Sequence, residues 1–261
     1  MGRVDGKTIV VTGGGSGIGA AFSLGLAAEG AKVAVLDRDS DAAEKVASSI
    51  VERGGRSLAF TADVTSRAMM RAALIDAEQW GGGLDVVFNN AGFNKPMPFL
   101  EVTEDNWHSI MDVNGLGVLI GIQEAARIMI RQGTGGKIIN TSSVAGRQGF
   151  PDFAPYCASK FAVNALTQAG ARDLAQHKIT VNSFSPGVVT TPLWITLDQD
   201  LIDIGSATMP GESINAFSAD ILLGHPAAPE ELVGTALYLA SSDSDYLTGQ
   251  TIMIDGGKVL I

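Results

Sequence analysis

Short runs of β-branched and apolar residues alternate along the chain with longer stretches that carry apolar residues every three or four positions. The first run, Thr8-Ile-Val-Val-Thr12, has the length and composition of a parallel strand buried on both faces. It leads into a cluster of glycines and then an alanine-rich helical stretch that ends near Glu29. Ala31–Leu36 predicts a second strand. Asp41–Arg53 predicts a helix, with Asp39 and Ser40 placed to cap it. Further strands are predicted over Ser57–Ala62, Asp85–Phe88, Gly136–Ser143, Thr180–Phe184 and Thr251–Asp255. Helices are predicted over Ser66–Trp80, from Glu104 (capped by Thr103) to about Gln132, from Phe153 to about Gln176, and over Glu230–Ala240. From Pro192 to Ala228 the periodicity is poor, Gly and Pro are scattered, and one short helix is expected near Leu197–Ile204. Such a segment beside a crevice is a candidate substrate lid over residues 192–228, with Trp194 near its start. The unbroken alternation of strands and helices, without repeat or linker, argues for one α/β domain over residues 1–261.

Composition narrows the partners. A chain of 261 residues that is 46% hydrophobic suffices for one large core. Its formal net charge is −10 and no basic run appears, so neither nucleic acid nor an acidic membrane surface is an expected partner. Cys157 is the only cysteine, which excludes an intramolecular disulfide and a Cys/His zinc cluster; no metal is expected. His108, His177 and His225 are scattered among polar neighbours and read as solvated. No signal-peptide pattern and no run of about 18 apolar residues is present, so a cytoplasmic protein is expected.

The candidate chemistry lies where predicted strands hand over to helices. Thr12-Gly13-x-x-x-Gly17-x-Gly19 departs from the strict Gly-x-Gly-x-x-Gly. It still offers close backbone approach and free N–H groups at a helix start, which suits a pyrophosphate. Asp37 lies 18 residues after Gly19, near the ~20 expected of a carboxylate that binds the adenosine ribose hydroxyls. It favours NAD, although Arg38 beside it is able to hold the 2′-phosphate of NADP. Asp63 stands at a strand's carboxyl end and is placed to meet an adenine amino group. Asn89 and Asn90 either fix neighbouring backbones or form a simple turn. Asn114, an amide in an apolar stretch, needs partners: a structural network or a held water. Tyr156 and Lys160, four apart, share one face of a predicted helix, about one turn apart. A phenol is a poor base near neutrality, and lowering its pKa by ~3 units takes about 4 kcal/mol. The Lys160 ammonium, helped by a cationic cofactor ring, is a source for that. Ser143, at the preceding strand's end, is placed to donate to the substrate oxygen that Tyr156 reaches. Cys157 has no base beside it and reads as a small helical residue.

Taken together and in order, these motifs resemble the short-chain dehydrogenase/reductase family over nearly the whole chain. The likeness rests on the glycine turn, Asp37, Asp63-Val64, Asn89-Asn-Ala-Gly92, Asn114, Ser143, Tyr156-x-x-x-Lys160, Asn182, and Pro186-Gly187 with Thr191. The resemblance implies a single doubly wound Rossmann-type domain, with a seven-stranded parallel sheet and helices on both faces. It makes Tyr156 the acid/base, Ser143 the polariser of the reacting oxygen, Lys160 the tuner of Tyr156 and a ribose ligand, and Asn114 the holder of a relay water. The cofactor would meet Gly13, Ser16, Gly17, Ile18, Gly19, Asp37, Asp63, Val64, Asn90, Ala91, Gly92, Tyr156, Lys160, Pro186, Gly187, Val189 and Thr191, with the Val189 backbone on the nicotinamide carboxamide. Within the family, four stretches, among them Pro186-Gly-Val-Val-Thr-Thr-Pro-Leu-Trp194, resemble bacterial NAD-dependent butanediol/acetoin and polyol dehydrogenases. The residues after Ser143 are expected near the substrate. They mix apolar Val144, Phe150 and Phe153 with polar Arg147 and Gln148, which fits a small diol or an apolar ketone as well as a polyol. The expected activity is NAD-dependent oxidation of a secondary alcohol. An NADP-dependent carbonyl (3-oxoacyl or bulky ketone) reductase is the alternative, and an inactive cofactor-binding regulator is a third reading that intact Ser143, Tyr156 and Lys160 oppose. The resemblance also implies a homotetramer, packed through the Glu104 and Phe153 helices.

Overall fold

The computed structural model describes residues 2–260; Met1 and Ile261, the two ends of the expected domain, lie outside the described residues. With no polar face to offer water, strand β1 (Thr8–Thr12) is buried along its whole length near the middle of the sheet. It is followed by α1 (Gly17–Ala28), β2 (Lys32–Asp37), α2 (Ser40–Glu52), β3 (Arg56–Thr61), α3 (Arg67–Gly81) and β4 (Val86–Asn89). The second half contributes α4 (Glu104–Met111), α5 (Gly117–Gln132), β5 (Gly136–Thr141), α6 (Ala154–Leu174), β6 (Ile179–Pro186), α7 (Pro192–Asp203), α8 (Glu212–Ser218), α9 (Val233–Ala240) and β7 (Thr251–Ile254). The seven strands form one sheet in the order β3-β2-β1-β4-β5-β6-β7, every neighbouring pair parallel.

Period-two alternation within the strands sorts the core into two layers. Ile9, Val11, Val33, Val35, Phe88 and Phe184 face one way, onto Phe22 and Leu26 of α1, α2 and α9. Val10, Ala34, Leu36, Val87 and Ile138 face the other, onto α3, α5 and α6. Phe22 packs its ring against Phe88 of β4 at 5.5 Å and Phe184 of β6 at 5.4 Å, tying α1 across the topological switch to the second half of the sheet. On the opposite face α5 comes so near β4 that a Cβ at Gly121 would lie 1.9 Å from Asn89 Oδ1.

Two expectations change. The single helix predicted from Glu104 to Gln132 is broken by a π turn at Asp112–Leu116, between α4 and α5. Apolar periodicity alone does not register that inserted residue. Glu104–Gln132 is, by length and composition, the one membrane-span candidate among the described residues, yet 67% of its apolar window is packed inside the fold. The lid holds two helices instead of the one expected near Leu197–Ile204. α7 starts five residues earlier, with Pro192 at its first position, and α8 follows. α8 takes its amino-terminal hydrogen bonds from a remote residue: Asp198 of α7 accepts from the backbone N–H groups of Gly211 and Ser213. Strand ends differ from expectation by one or two residues, and Asp39, as predicted, caps α2 by accepting from Asp41 and Ala42.

Candidate active site

At the carboxyl ends of the strands, beside the β1/β4 switch point, lies a cleft of about 360 Å³. Its floor at one end is the turn between β1 and α1. Gly13 and Gly17 take positive φ (63° and 51°), which side chains disfavour. A Cβ at Gly13 would press on the Ala91 backbone at 2.9 Å, and one at Gly19 would lie 2.1 Å from the Gly13 carbonyl oxygen. Gly19 therefore does not line the cleft; it lets α1 pack under the turn. Ser16 at the head of α1 makes no side-chain cap and the first turn holds no acid, so nothing in that turn opposes an anion at its N–H groups. Asn90 steadies the wall by donating to Thr12 O (3.1 Å), and the Thr12 hydroxyl accepts from the Asn90 and Ala91 N–H groups. Of the two readings open for the paired asparagines, backbone fixing is the one Asn90 fulfils, while Asn89 donates to Asn140 Oδ1 at 2.9 Å.

At the far end of the same wall, Asp37 accepts from Gly15 N (3.0 Å) and Asp39 N (3.1 Å), which fixes its carboxylate at the end of β2. Asp63 binds the Thr65 hydroxyl and N–H, and these bonds hold its carboxyl below the usual range against the opposing effect of burial. Arg38, Val64 and Gly92 line the cleft as well, and Pro186, Gly187, Val189 and Thr191 close the side opposite. Thr191 reaches over Gly17: its Cγ2 would be 3.2 Å from a Cβ placed there. These glycine cradles and open amides fit a dinucleotide.

Ser143, Tyr156 and Lys160 come together on the other half of the cleft. Ser143 Oγ accepts from Ala145 N (3.1 Å), which leaves its own O–H free to donate into the cleft. Lys160 is buried, donates to Thr141 O (2.9 Å) and holds its ammonium 5.5 Å from the Tyr156 ring centre. Burial pulls Lys160 down to about 8. Burial also pushes Tyr156 up to about 12, against a smaller downward pull from the Ser143 hydroxyl. The expected lowering of Tyr156 by Lys160 is thus not achieved by the chain alone: burial dominates, and the only downward pull comes from the Ser143 hydroxyl.

Asn114 is fully buried in the π turn and does not line the cleft. Its amide accepts from Phe93 N (3.0 Å) and donates to Phe93 O (2.8 Å) and Ser159 Oγ (3.1 Å), whose hydroxyl binds the Tyr156 carbonyl. The structural network is the reading its side chain fulfils, since both amide hydrogens are spent on protein.

The substrate side is lined by Val144, Ala145, Phe150, Phe153, Trp194 and Phe217. Phe217 of α8 stacks on Phe153 at 5.3 Å and tilts against Trp194 at 5.7 Å. Lys258, after β7, holds this lid helix by donating to Phe217 O (2.6 Å) and pairing with Asp220. Arg147 and Gln148, expected near the substrate, are exposed and outside the cleft, because Val144–Gly146 form a single tight turn that carries the chain away. Asn182 likewise serves the scaffold, pinning Leu247 and Gln250. Phe217, Lys258 and Asn94 line the cleft without having been singled out by the sequence. Phe217 sits where periodicity fails, and Lys258 and Asn94 sit in loops with no local signal.

The arrangement defines a dinucleotide-dependent oxidoreductase: a glycine turn with open amides and a fixed carboxylate at one end, a Ser–Tyr–Lys group at the other. The chain belongs to the short-chain dehydrogenase family, whose description "short chain dehydrogenase" matches residues 7–201. It is 42% identical to L-2,3-butanediol dehydrogenase of Corynebacterium glutamicum over 257 residues, covering 97% of this chain and 98% of that one. It is 37% identical to a sorbitol dehydrogenase of Cereibacter sphaeroides, over 98% of both chains. Among solved structures, a short-chain type dehydrogenase/reductase from Mycobacterium marinum superposes with a TM-score of 0.90 at 39% identity, over 99% of this chain and 98% of that one. Levodione reductase superposes at 0.92 with 29% identity, over 98% of both.

Proposed function

We propose that this enzyme uses NAD to oxidise the secondary alcohol of a small diol, and to reduce the matching hydroxyketone. The observation that carries the reading is the convergence of Ser143, Tyr156 and Lys160 on the cleft whose other end is Asp37. Bound NAD supplies the hydride acceptor and a positive ring. Tyr156 takes the hydroxyl proton as hydride leaves the same carbon, and Ser143 donates to the substrate oxygen throughout. Such a positioned acid–base group contributes roughly 10²–10⁴-fold. Lys160, anchored on Thr141 O, steadies the tyrosinate and is placed for the ribose hydroxyls of the cofactor. The Asp37 carboxylate favours ribose hydroxyls over a 2′-phosphate, which supports NAD. Relatives named for butanediol, for diacetyl reduction to acetoin, and for sorbitol support the substrate class. The partly exposed Trp107, Leu116 and Phe161 on the helices expected to pair between subunits support self-association as a homotetramer.

A second reading, an NADP-dependent carbonyl reductase, is favoured by Arg38 on the cleft wall and by the aromatic substrate side. NADH formation at 340 nm, with NAD and a panel of diols, acyclic sugar alcohols and simple secondary alcohols, repeated with NADP, separates the two. Turnover of diols with NAD is expected. Silence with NAD, together with activity on ketones with NADPH, would establish the second reading.

A further inference from the structure

The segment Phe93–Met97 borders the cleft through Phe93 and Asn94 and is held from three sides. Asn114 clamps both backbone groups of Phe93, Asn106 Nδ2 donates to Lys95 O (3.1 Å), and Met97 N donates to Asp152 O (2.8 Å). Asn94, next to Phe93, lines the cleft with Ser143 and Tyr156 and is only 5% exposed. Neither the amide nitrogen nor the amide oxygen of Asn94 has a hydrogen-bond partner. Among the described residues, Asn106, Ser185, Ser213 and Ser218 also bury an unpartnered side-chain polar atom, but none of them lines the cleft. A buried amide without partners is costly, and such a group calls for a ligand, water or ion to complete it.

The rest of the substrate side has little polarity to spare. Ser143 and Tyr156 are committed to the reacting oxygen, Ser142 donates to Lys160 O, and the Lys258 ammonium is spent on Phe217 and Asp220. The remaining wall is Val144, Ala145 and aromatic rings. Resting on the reaction proposed above, we infer that Asn94 is the residue that recognises a second oxygen on the substrate, next to the carbon that loses hydride. Its amide offers both a donor and an acceptor, so it serves the hydroxyl of a vicinal diol and the same group of an α-hydroxyketone. With one free amide and an apolar remainder, the site favours two adjacent oxygens on a short carbon chain over a many-hydroxyl sugar alcohol.

The test is the ratio of kcat/KM for 2,3-butanediol to that for 2-butanol, measured with NAD. In the wild type the ratio is expected to exceed ten. In Asn94→Leu, which keeps the branched shape and removes the amide, it is expected to fall at least tenfold; Asn94→Ser, a second variant in case the first folds poorly, is expected to fall in between. NADH binding by fluorescence serves as the check on folding. A wild-type enzyme that oxidises both alcohols without preferring the diol, or variants that keep the wild-type ratio, would overturn the role of Asn94 and leave the proposed reaction standing. No oxidation of either alcohol with NAD or NADP would overturn the proposed reaction and this inference with it.

Discussion

Replacing Lys160 by Met tests how the buried cation is used, because activity and stability are expected to move in opposite directions. In the free protein Lys160 has one hydrogen bond, to Thr141 O, and burial brings it from 10.5 to about 8. That fall corresponds to about 3 kcal/mol of cost for the buried ammonium near neutrality. The unfolded chain keeps the proton up to about 10.5, and the folded protein releases it near 8. Wild-type stability therefore rises with pH across that window, and the full cost stands below it. Lys160→Met removes the charge and leaves the Thr141 carbonyl unpaired, which costs about 1–2 kcal/mol. The variant is expected to be more stable than wild type by about 1–2 kcal/mol at pH 7, with the difference reversing by about pH 10.5. Tyr156 acts between its ordinary 10 and about 12, where the folded state holds the extra proton and stability falls with pH, so the comparison is kept at pH 10 and below. Thermal unfolding of the cofactor-free proteins at pH 7, 8.5 and 10, at one concentration, reads the difference. Activity is expected to suffer. A unit charge 5.5 Å from the ring is worth about 3 kcal/mol at an effective dielectric of ~20, or roughly 2 pH units on the base. The rising, acid-side limb of kcat/KM for alcohol oxidation should move up by that much, with a loss of about 100-fold at pH 8. A variant equally destabilised at all three pH values, or a limb that stays in place, would refute the reasoning.

Tyr156→Phe is expected to lower kcat by about 10²–10⁴-fold while NADH affinity, followed by fluorescence, changes less than about tenfold. Asp37→Ala removes the carboxylate that accepts from Gly15 and Asp39, and the NADP/NAD ratio of kcat/KM should rise by about 100-fold if its charge excludes the 2′-phosphate. Glu124 is buried among Arg67, Arg71 and Arg127. Burial lifts its carboxyl, but hydrogen bonds from Arg71 and Arg67 and the Arg127 charge outweigh that and hold it low. Its contribution is present above the ordinary carboxyl pKa and is lost as pH falls through the lower folded value. Glu124→Gln should therefore cost about 2 kcal/mol in urea unfolding at pH 7, and the gap should narrow in acid.

What the sequence makes legible follows from how local the signal is. Parallel strands buried on both faces read as apolar runs, so Thr8–Thr12 and its counterparts stand out, and the order of motifs marks the strand ends where the cleft forms. Ser143, Tyr156 and Lys160 are visible because one strand end and one helix turn carry all three. The lid is less legible. The amino-terminal bonds of α8 come from Asp198, 13 residues before Gly211, and its anchor Lys258 lies far along the chain. The exclusion of Arg147 and Gln148 depends on one tight turn, and the empty amide of Asn94 shows only once all its neighbours are placed.

The π turn at Asp112–Leu116 carries a consequence in phase. Each residue of an α-helix advances the side chain by about 100°, so one inserted residue turns everything beyond it by that angle. Here α4 keeps Asn106 on Lys95 O, Asn114 in the turn itself reaches Phe93 and Ser159, and α5 brings Gly121 against Asn89. A regular helix of one residue fewer would rotate Gly121 away and aim a larger side chain at β4. The irregular turn works as a phase adjuster, letting the two halves of one long helix meet separate partners. A single-residue deletion there should therefore act on both halves, at a distance no point substitution in either would reach.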